Sequence, residues 1–316
     1  MIVRSLLAGA LALGLIVQAE EASADSRGRR SADTATPVLA VPPPAALLAE
    51  IERAIADKRY VDAGRMLDRA VLTWGAAPET LVLTGELRLA RGEFARALEI
   101  FDTTQAAASV RARALQGRGI ALSTLGRSEE ALTALEEASR LDPSLWRTWN
   151  ALGREYDRRQ DWTRATEAYE RAAALDGAGA AVWSNRGFSR LLQGRYPEAT
   201  QDFVTALQKE PGLAAARTNL RLALGLQGQY DRAVASGGAE NQAQILNNAG
   251  FAALSRGDLD EAERLLTRAI AVSETYYTRA FENLERVRAE RASRANAAAA
   301  TGSVGAVQRT TGQSAR

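Results

Sequence analysis

The chain has 316 residues, with 40 basic and 38 acidic side chains and a formal net charge of +2. It contains no cysteine and no histidine. This excludes disulfides, thiolate or imidazole metal sites, and the Ser-His-Asp and Cys-His nucleophile systems. The charges are interspersed, without the basic patch typical of nucleic-acid binding. We therefore expect a protein without catalytic residues, cofactor or nucleic-acid partner.

The N-terminus has the order of a secretory signal peptide. Arg4 precedes a 12-residue apolar stretch at residues 6–17, and the small residues Ala22-Ser23-Ala24 follow. This order predicts a signal peptide over residues 1–24. The apolar stretch is shorter than the ~20 residues that a membrane-spanning helix needs, although an uncleaved anchor is the alternative. We expect an exported, periplasmic protein, associated with an outer membrane only through partners.

Two segments are too polar or too rich in proline to form a core. Residues 25–43 are rich in Ser, Asp, Thr, Ala and Pro, which predicts a disordered linker. Residues 292–316 consist largely of Ala, Gly, Ser, Thr, Gln and Arg, and predict a disordered tail. A continuation of the preceding helix into the first part of this tail is the alternative. The folded part is thus predicted to span residues 44–291.

A period of 34 residues organises this folded part. Its clearest markers are the alanines Ala63, Ala97, Ala131, Ala165, Ala199 and Ala233. The repeats begin near residues 44, 78, 112, 146, 180 and 214. Glycine recurs at position 8 of the second to fifth repeats and at position 15 of four repeats, and large residues recur at positions 17 and 24. Each repeat therefore predicts two short amphipathic helices, the first ending at position 15. One such pair cannot bury its apolar face alone, whereas a stack of pairs can.

This pattern resembles the tetratricopeptide repeat. The fullest match is Trp149-x-x-Leu152-Gly153-x-x-Tyr156 followed by Ala165, Tyr169 and Ala172. The resemblance covers residues 44–275 and implies an all-α fold, a right-handed superhelical α-solenoid of about seven helix pairs. It also implies binding of a protein or peptide in a concave groove, with no catalytic activity shared by the family.

Departures from the period predict where the stack changes. Ala233 is followed by Ser236-Gly237-Gly238, and the next alanine of the series, Ala262, comes after 29 residues instead of 34. This predicts a short second helix in the sixth pair or an irregular loop near residues 236–242. The segment from Tyr276 to about residue 291 then predicts a C-terminal capping helix.

The resemblance implies that the first helix of each pair lines the groove. Asparagines concentrate at positions 5 and 6 of these helices, and a side-chain amide can both donate to and accept from a peptide backbone. The alternative is that they brace neighbouring helices, and that the aromatics pack on the preceding pair. Arg147, Arg154 and Arg158 could receive an acidic tail, although the neighbouring Glu155 and Asp157 favour a solvated helix face. The candidate groove residues are Asn150, Arg154, Asn185, Phe188, Asn219, Asn247, Asn248 and Phe251.

A narrower resemblance lies in the last third of the chain. The run from Ala216 to Ala233, the motif Asn247-Asn248-x-Gly250-Phe251 and a later Glu282-Asn283-Leu284 resemble TadD-like proteins of the tight-adherence (Tad, Flp) pilus system. The resemblance implies a role in pilus assembly and secretion, with a pilus secretin or another assembly component as partner. The lipidated cysteine common in that family is missing here. A general cell-envelope adaptor, for example for cell-wall enzymes, is the alternative.

Overall fold

The computed structural model describes residues 43–236, 241–273 and 277–312, with side chains up to residue 299. The described residues form fifteen α-helices and no strand, which confirms the predicted all-α class. None of the helices in these ranges is long and apolar enough to cross a membrane. The predicted signal peptide and nearly all of the predicted linker lie outside the described residues.

The helices follow one another in seven pairs with one additional helix at the end, as predicted. The pairs are α1 (Ala45–Ala56) with α2 (Tyr60–Trp74), α3 (Pro78–Ala90) with α4 (Phe94–Thr104), α5 (Arg111–Thr124) with α6 (Ser128–Leu141), α7 (Trp146–Arg158) with α8 (Trp162–Ala174), α9 (Ala180–Leu192) with α10 (Tyr196–Lys209), α11 (Ala214–Leu226) with α12 (Tyr230–Ala235), and α13 (Gln242–Arg256) with α14 (Leu259–Ala271); α15 (Thr278–Gly312) follows. The described chain forms two compact units, residues 43–189 and 190–312. The boundary lies within α9, and each unit is described separately below.

A left-handed residue at position 15 separates the two helices of a pair. Gly92 and Gly126 have φ values of 78° and 80°, which glycine adopts without steric cost. Lys58 and Gln160 occupy the same position in the first and fourth repeats, with φ values of 61° and 58°. The turn geometry is therefore kept even where the glycine is missing.

The glycine at position 8 lets the two helices of a pair approach closely. A Cβ atom on Gly153 would lie 2.7 Å from ring atoms of Tyr169, and one on Gly85 would lie 2.6 Å from the ring of Phe101. Both aromatic rings are buried, at position 24 of the same repeat. The small residue on the first helix and the large one on the second thus form a single packing unit.

The stacking of first helices defines the inner face of the first unit. The first helices α1, α3, α5 and α7 pack directly on their neighbours, whereas successive second helices in the described unit make almost no direct contact. A stack whose first helices lie closer together than its second helices bends toward the first helices. The exposed side of α1, α3, α5 and α7 is therefore the concave face of this unit.

The second unit confirms the predicted irregularity. The helix α12 has only six residues, and α11 packs directly against α13. The capping helix α15 buries Ala280, Leu284 and Val287 against α13 and α14. It continues to Gly312, past the boundary predicted at residue 291. The Ala- and Arg-rich sequence of residues 289–300 has high helix propensity, which explains why the helix continues past residue 291.

Candidate peptide-binding surface on the first helices

Two asparagines of the first unit join neighbouring first helices on the concave face. Asn185 Nδ2, on α9, donates a hydrogen bond of 3.1 Å to Asn150 Oδ1, on α7. Both side chains are half-buried. Each amide has two donors and one acceptor oxygen, so this bond uses only part of their capacity. Asn150 Nδ2 and Asn185 Oδ1 bond to no other described residue.

The three arginines of α7 have different surroundings. The guanidinium of Arg147 stacks over the ring of Trp146 at 5.0 Å from its centroid. Arg158 donates to Glu155 Oε1 at 2.5 Å and to the Ser123 carbonyl oxygen at 2.9 Å. Arg154 is half-buried and forms no ion pair with any described residue. Arg154 therefore presents an unpaired cation on the face that carries Asn150.

Glu155 is not on a solvated face, contrary to the expectation from its neighbours. Its side chain is completely buried and accepts hydrogen bonds from the hydroxyls of Ser123 and Ser128 and from Arg158. A carboxylate can be buried at a tolerable free-energy cost only when it is paired and hydrogen-bonded in this way. Glu155 thus ties α7 to the preceding helix pair.

Asp157 on α7 is hydrogen-bonded to residues of two further helices, α8 and α9. Its carboxylate accepts a hydrogen bond of 2.6 Å from the Ser189 hydroxyl and one of 2.8 Å from the Tyr169 hydroxyl. Burial raises the pKa of Asp157 to about 6, although the two hydroxyl donors act in the opposite direction. Asp157 therefore changes charge in a mildly acidic range.

An ionic network crosses the first three repeats. Arg113 on α5 donates to both carboxylate oxygens of Glu86 on α3, at 2.8 and 3.0 Å, and also to Glu52 on α1. Burial alone would lower the pKa of Arg113, but Glu86 and Glu52 together raise it above its ordinary value. These ion pairs join α1, α3 and α5 and so brace the stack. With two glutamates and one arginine, the network keeps a formal charge of −1.

The asparagines of the second unit have two kinds of surroundings: one is buried and hydrogen-bonded to the capping helix, and two are partly exposed. Asn247 is 5% exposed, and its Oδ1 accepts a 3.0 Å hydrogen bond from Asn283 Nδ2 on α15. Its Nδ2 donates to Asn248 Oδ1 at 3.4 Å. Asn219 and Asn248 are half-buried, and Asn219 makes no hydrogen bond with any described residue. Asn219 and Asn248 are thus accessible, whereas Asn247 holds the capping helix.

Phe188 on α9 and Phe251 on α13 are both half-buried. Phe188 follows Asn185 by three residues, and Phe251 follows Asn248 by three. The asparagine and the phenylalanine of each such pair therefore lie on the same face of their helix. The amide and the ring could therefore contact the same bound segment.

Comparison with known proteins agrees with this fold. Residues 112–145, 148–181 and 242–287 match family models described as tetratricopeptide repeat. Tetratricopeptide repeats are therefore recognised in both units. Such repeats form scaffolds for protein–protein interaction.

Two curated proteins share part of this sequence. One is a heat-shock protein cognate co-chaperone, sgt12 of Aspergillus fumigatus, 29% identical over 103 residues, which are 33% of this chain and 30% of that protein. The other is the probable UDP-N-acetylglucosamine–peptide N-acetylglucosaminyltransferase SPINDLY of Hordeum vulgare, 28% identical over 151 residues, which are 46% of this chain and 16% of that protein. The chain spans less than a third of the length of these relatives.

A solved structure also resembles this one. The crystal structure of the Cut9–Hcn1 hetero-tetramer of the APC/C covers 77% of this chain and 49% of its own, with a TM-score of 0.60 and 17% identity. At this level of identity the similarity shows the fold alone, an α-solenoid of tetratricopeptide-type helix pairs.

Proposed function

We propose that this chain is an exported, non-enzymatic scaffold that holds an extended segment of a partner protein against its first helices. The repeat fold supports a protein-interaction role in general. The observation that carries the proposal is the pair of unused polar groups on the first helices of the first unit, Asn150 Nδ2 and Asn185 Oδ1. On a first helix of the second unit, the amide of Asn219 also bonds to no described residue.

These groups suit a peptide backbone. Each residue of an extended segment presents an N–H and a C=O, and an amide side chain pairs with both without selecting a side chain. Phe188 beside Asn185, and Phe251 beside Asn248, would anchor apolar side chains of a bound segment. The unpaired Arg154 would favour a segment with an acidic residue at its level.

The system that we propose for this scaffold is assembly of a Tad/Flp-type pilus, with the secretin or another assembly component as partner. The support comes from the sequence: a signal-peptide pattern at residues 1–24 and the TadD-like motifs in the last third. An exported protein with this pattern would act in the periplasm, associated with the outer membrane through its partners.

A crosslinked pull-down from the envelope fraction, analysed by mass spectrometry, tests both parts of the proposal. The test variant carries Asn185→Ala, Asn219→Ala and Asn248→Ala. The matched control carries Asn296→Ala and Gln201→Ala, two exposed amides away from the first-helix face. Both variants must keep the helix content of the natural protein.

We expect pilus components in the natural and control samples and their loss from the test variant. Retention of the same partners by the test variant would contradict binding through the first helices. Recovery of cell-wall enzymes in place of pilus components would contradict the pilus assignment and favour the envelope adaptor. Unchanged pilus assembly and secretin multimers after gene deletion would also contradict the pilus role.

A further inference from the structure

Equivalent positions on successive first helices form a row along the concave face of the first unit. On α7 and α9, position 9 follows the groove asparagines Asn150 and Asn185 by four and three residues, so it lies on the same helix face as these asparagines. All five side chains at this position in the first unit are partly exposed. In stack order they are Glu52, Glu86, Ile120, Arg154 and Phe188. We call this set the position-9 row.

An ion pair that crosses the stack places the acidic end of the row on the concave side. Arg113 on α5 bonds to Glu86 on the neighbouring α3 and also to Glu52 on α1, two first helices away. In a curved stack, alternate first helices approach each other closely enough for such a contact on the inner side. Glu52 and Glu86 therefore belong to the surface that a bound segment would meet.

This end of the row keeps a negative charge. Glu52 and Glu86 share the positive charge of Arg113, and the Glu52 side chain is 43% exposed. The second carboxylate oxygen of Glu52 bonds to no described residue. Glu79 lies two turns before Glu86 on the same face of α3, and its carboxylate accepts a 2.9 Å hydrogen bond from the Ser109 hydroxyl. The three glutamates and the arginine have a formal charge of −2, which favours a basic side chain on the ligand.

The other arginines of α1, α3 and α5 do not neutralise this charge. On α1, Arg53 and Glu50 are both exposed and lie three residues apart, so their opposite charges offset each other. The remaining arginines of α3 and α5 pair with acids outside the first helices. These pairs are Arg88 with Glu93 at 2.6 Å, Arg111 with Glu137 at 2.6 Å and Arg118 with Asp102 at 2.7 Å.

Helix α7 carries the opposite charge. It has three arginines against two acids, Glu155 and Asp157, and thus a formal net charge of +1. Arg158 is paired with the buried Glu155, whereas Arg154 forms no ion pair with any described residue. Asp157 lies three residues after Arg154, but its carboxylate is bonded to two hydroxyls, and burial raises its pKa to about 6. Arg154 therefore favours an acidic side chain on the ligand.

The spacing of the row predicts the spacing of the ligand's side chains. Packed helices lie about 8–10 Å apart, so Arg154 is ~18 Å from Glu86, two first helices away, and ~27 Å from Glu52, three away. An extended chain advances about 3.3 Å per residue, so these distances correspond to about five to eight residues. Ile120 lies between the two charged ends, and Phe188 lies one helix beyond Arg154.

We propose that the concave face selects an extended partner segment in which a basic and an acidic residue are about five to eight positions apart, with an apolar residue between them. The basic residue lies against the glutamates of the first two repeats, the apolar residue against Ile120 and the acidic residue against Arg154. This inference rests on the proposed function, because it names the chemistry of the segment that the first helices hold.

Selection from a displayed library of random twelve-residue peptides on the full natural chain tests the inference. We expect the enriched peptides to share a basic and an acidic residue about five to eight positions apart. On Arg154→Glu the acidic residue should disappear from the enriched peptides. On Glu52→Gln, which keeps an oxygen for Arg113 but removes a negative charge, the preference for the basic residue should weaken. The matched control Arg69→Glu makes the same charge change at an exposed position of a second helix and should select the natural pattern.

A selected peptide is then synthesised, and its affinity is measured by fluorescence anisotropy. It should bind Arg154→Glu at least about tenfold more weakly than the natural chain, at unchanged helix content. Replacement of its acidic residue by lysine should restore binding to this variant, which a damaged fold would not allow.

Two kinds of failure are distinguishable. Enriched peptides without the charge pattern, or with the same pattern on Arg154→Glu, would overturn the inference and leave the proposed function in place. The proposed function itself would be contradicted, and the inference with it, by a lack of enrichment on the natural chain. Equal binding of the selected peptide to a variant with Asn150→Ala and Asn185→Ala would have the same meaning.

Discussion

The ring of Tyr169 fills the place of the side chain that Gly153 lacks, with ring atoms 2.7 Å from the position of a Cβ. We expect Gly153→Ala to destabilise the protein by about 1–3 kcal/mol, because the ring is buried and cannot move aside without strain. Urea unfolding followed by circular dichroism measures this change.

Gly64→Ala provides the matched control for this prediction. Gly64 also lies inside a helix, but its Cβ would meet only the ends of two flexible side chains, Arg91 at 3.2 Å and Leu87 at 3.8 Å. The substitution should stabilise the protein by up to about 1 kcal/mol through helix propensity. Similar free-energy changes for the two variants would contradict the packing role of position 8.

The hydrogen bond between Asn283 and Asn247 predicts a weakened C-terminal cap in Asn283→Ala. The loss leaves the buried Asn247 oxygen without its donor, which costs about 1–3 kcal/mol. Amide hydrogen exchange over residues 278–290 should become faster, whereas Asn296→Ala, on the exposed part of α15, should leave it unchanged. Equal exchange in the two variants would show that the asparagine pair does not hold the cap.

The helix pairs could be predicted from sequence because their determinants are local. The 34-residue period places small and large residues on facing helices within one repeat, and Gly153 with Tyr169 is such a pair. The short α12 was visible in the same way, from Ser236 and two glycines directly after Ala233. Periodicity therefore predicts elements whose packing partners lie in the same repeat.

Contacts between repeats were not visible in the pattern. Glu155 reads as a surface residue on α7, and its burial depends on Ser123 and Ser128 in the preceding pair. Arg113 bonds Glu52, which lies 61 residues earlier, across two repeats. Asn283 could have been found, because it follows Asn247 by 36 residues and extends the asparagine series to the capping helix.

The half-buried carboxyl of Asp157 predicts a stability that depends on pH. Burial raises its folded-state pKa from 3.8 to about 6, so between these values the folded protein binds more protons than the unfolded chain. Stability from this residue is therefore greatest below pH 4 and falls as pH rises to 6, by about 3 kcal/mol in total.

Asp157→Asn removes this titration and keeps an oxygen to accept from Tyr169 or Ser189. We expect the variant to be more stable than the natural protein at pH 7.5 by up to about 3 kcal/mol, with no difference near pH 4. Urea unfolding of both proteins at pH 4, 5, 6 and 7.5 measures the difference. A difference that does not change with pH would show that Asp157 keeps an ordinary pKa in the fold.

Alanine substitutions of Arg154 and Arg158, which lie one turn apart on α7, should separate an effect on partner binding from an effect on the stability of the fold. Arg158→Ala leaves the fully buried Glu155 without its cation and should destabilise the protein by about 3 kcal/mol. Arg154→Ala removes a cation that no described residue pairs with, so stability should change by less than about 0.5 kcal/mol. If Arg154 contacts an acidic residue of the partner, only this variant should lose partner affinity at unchanged stability, by up to about tenfold. Urea unfolding with titration of the captured partner measures both quantities. A large loss of stability in Arg154→Ala would mean that this arginine braces the fold instead.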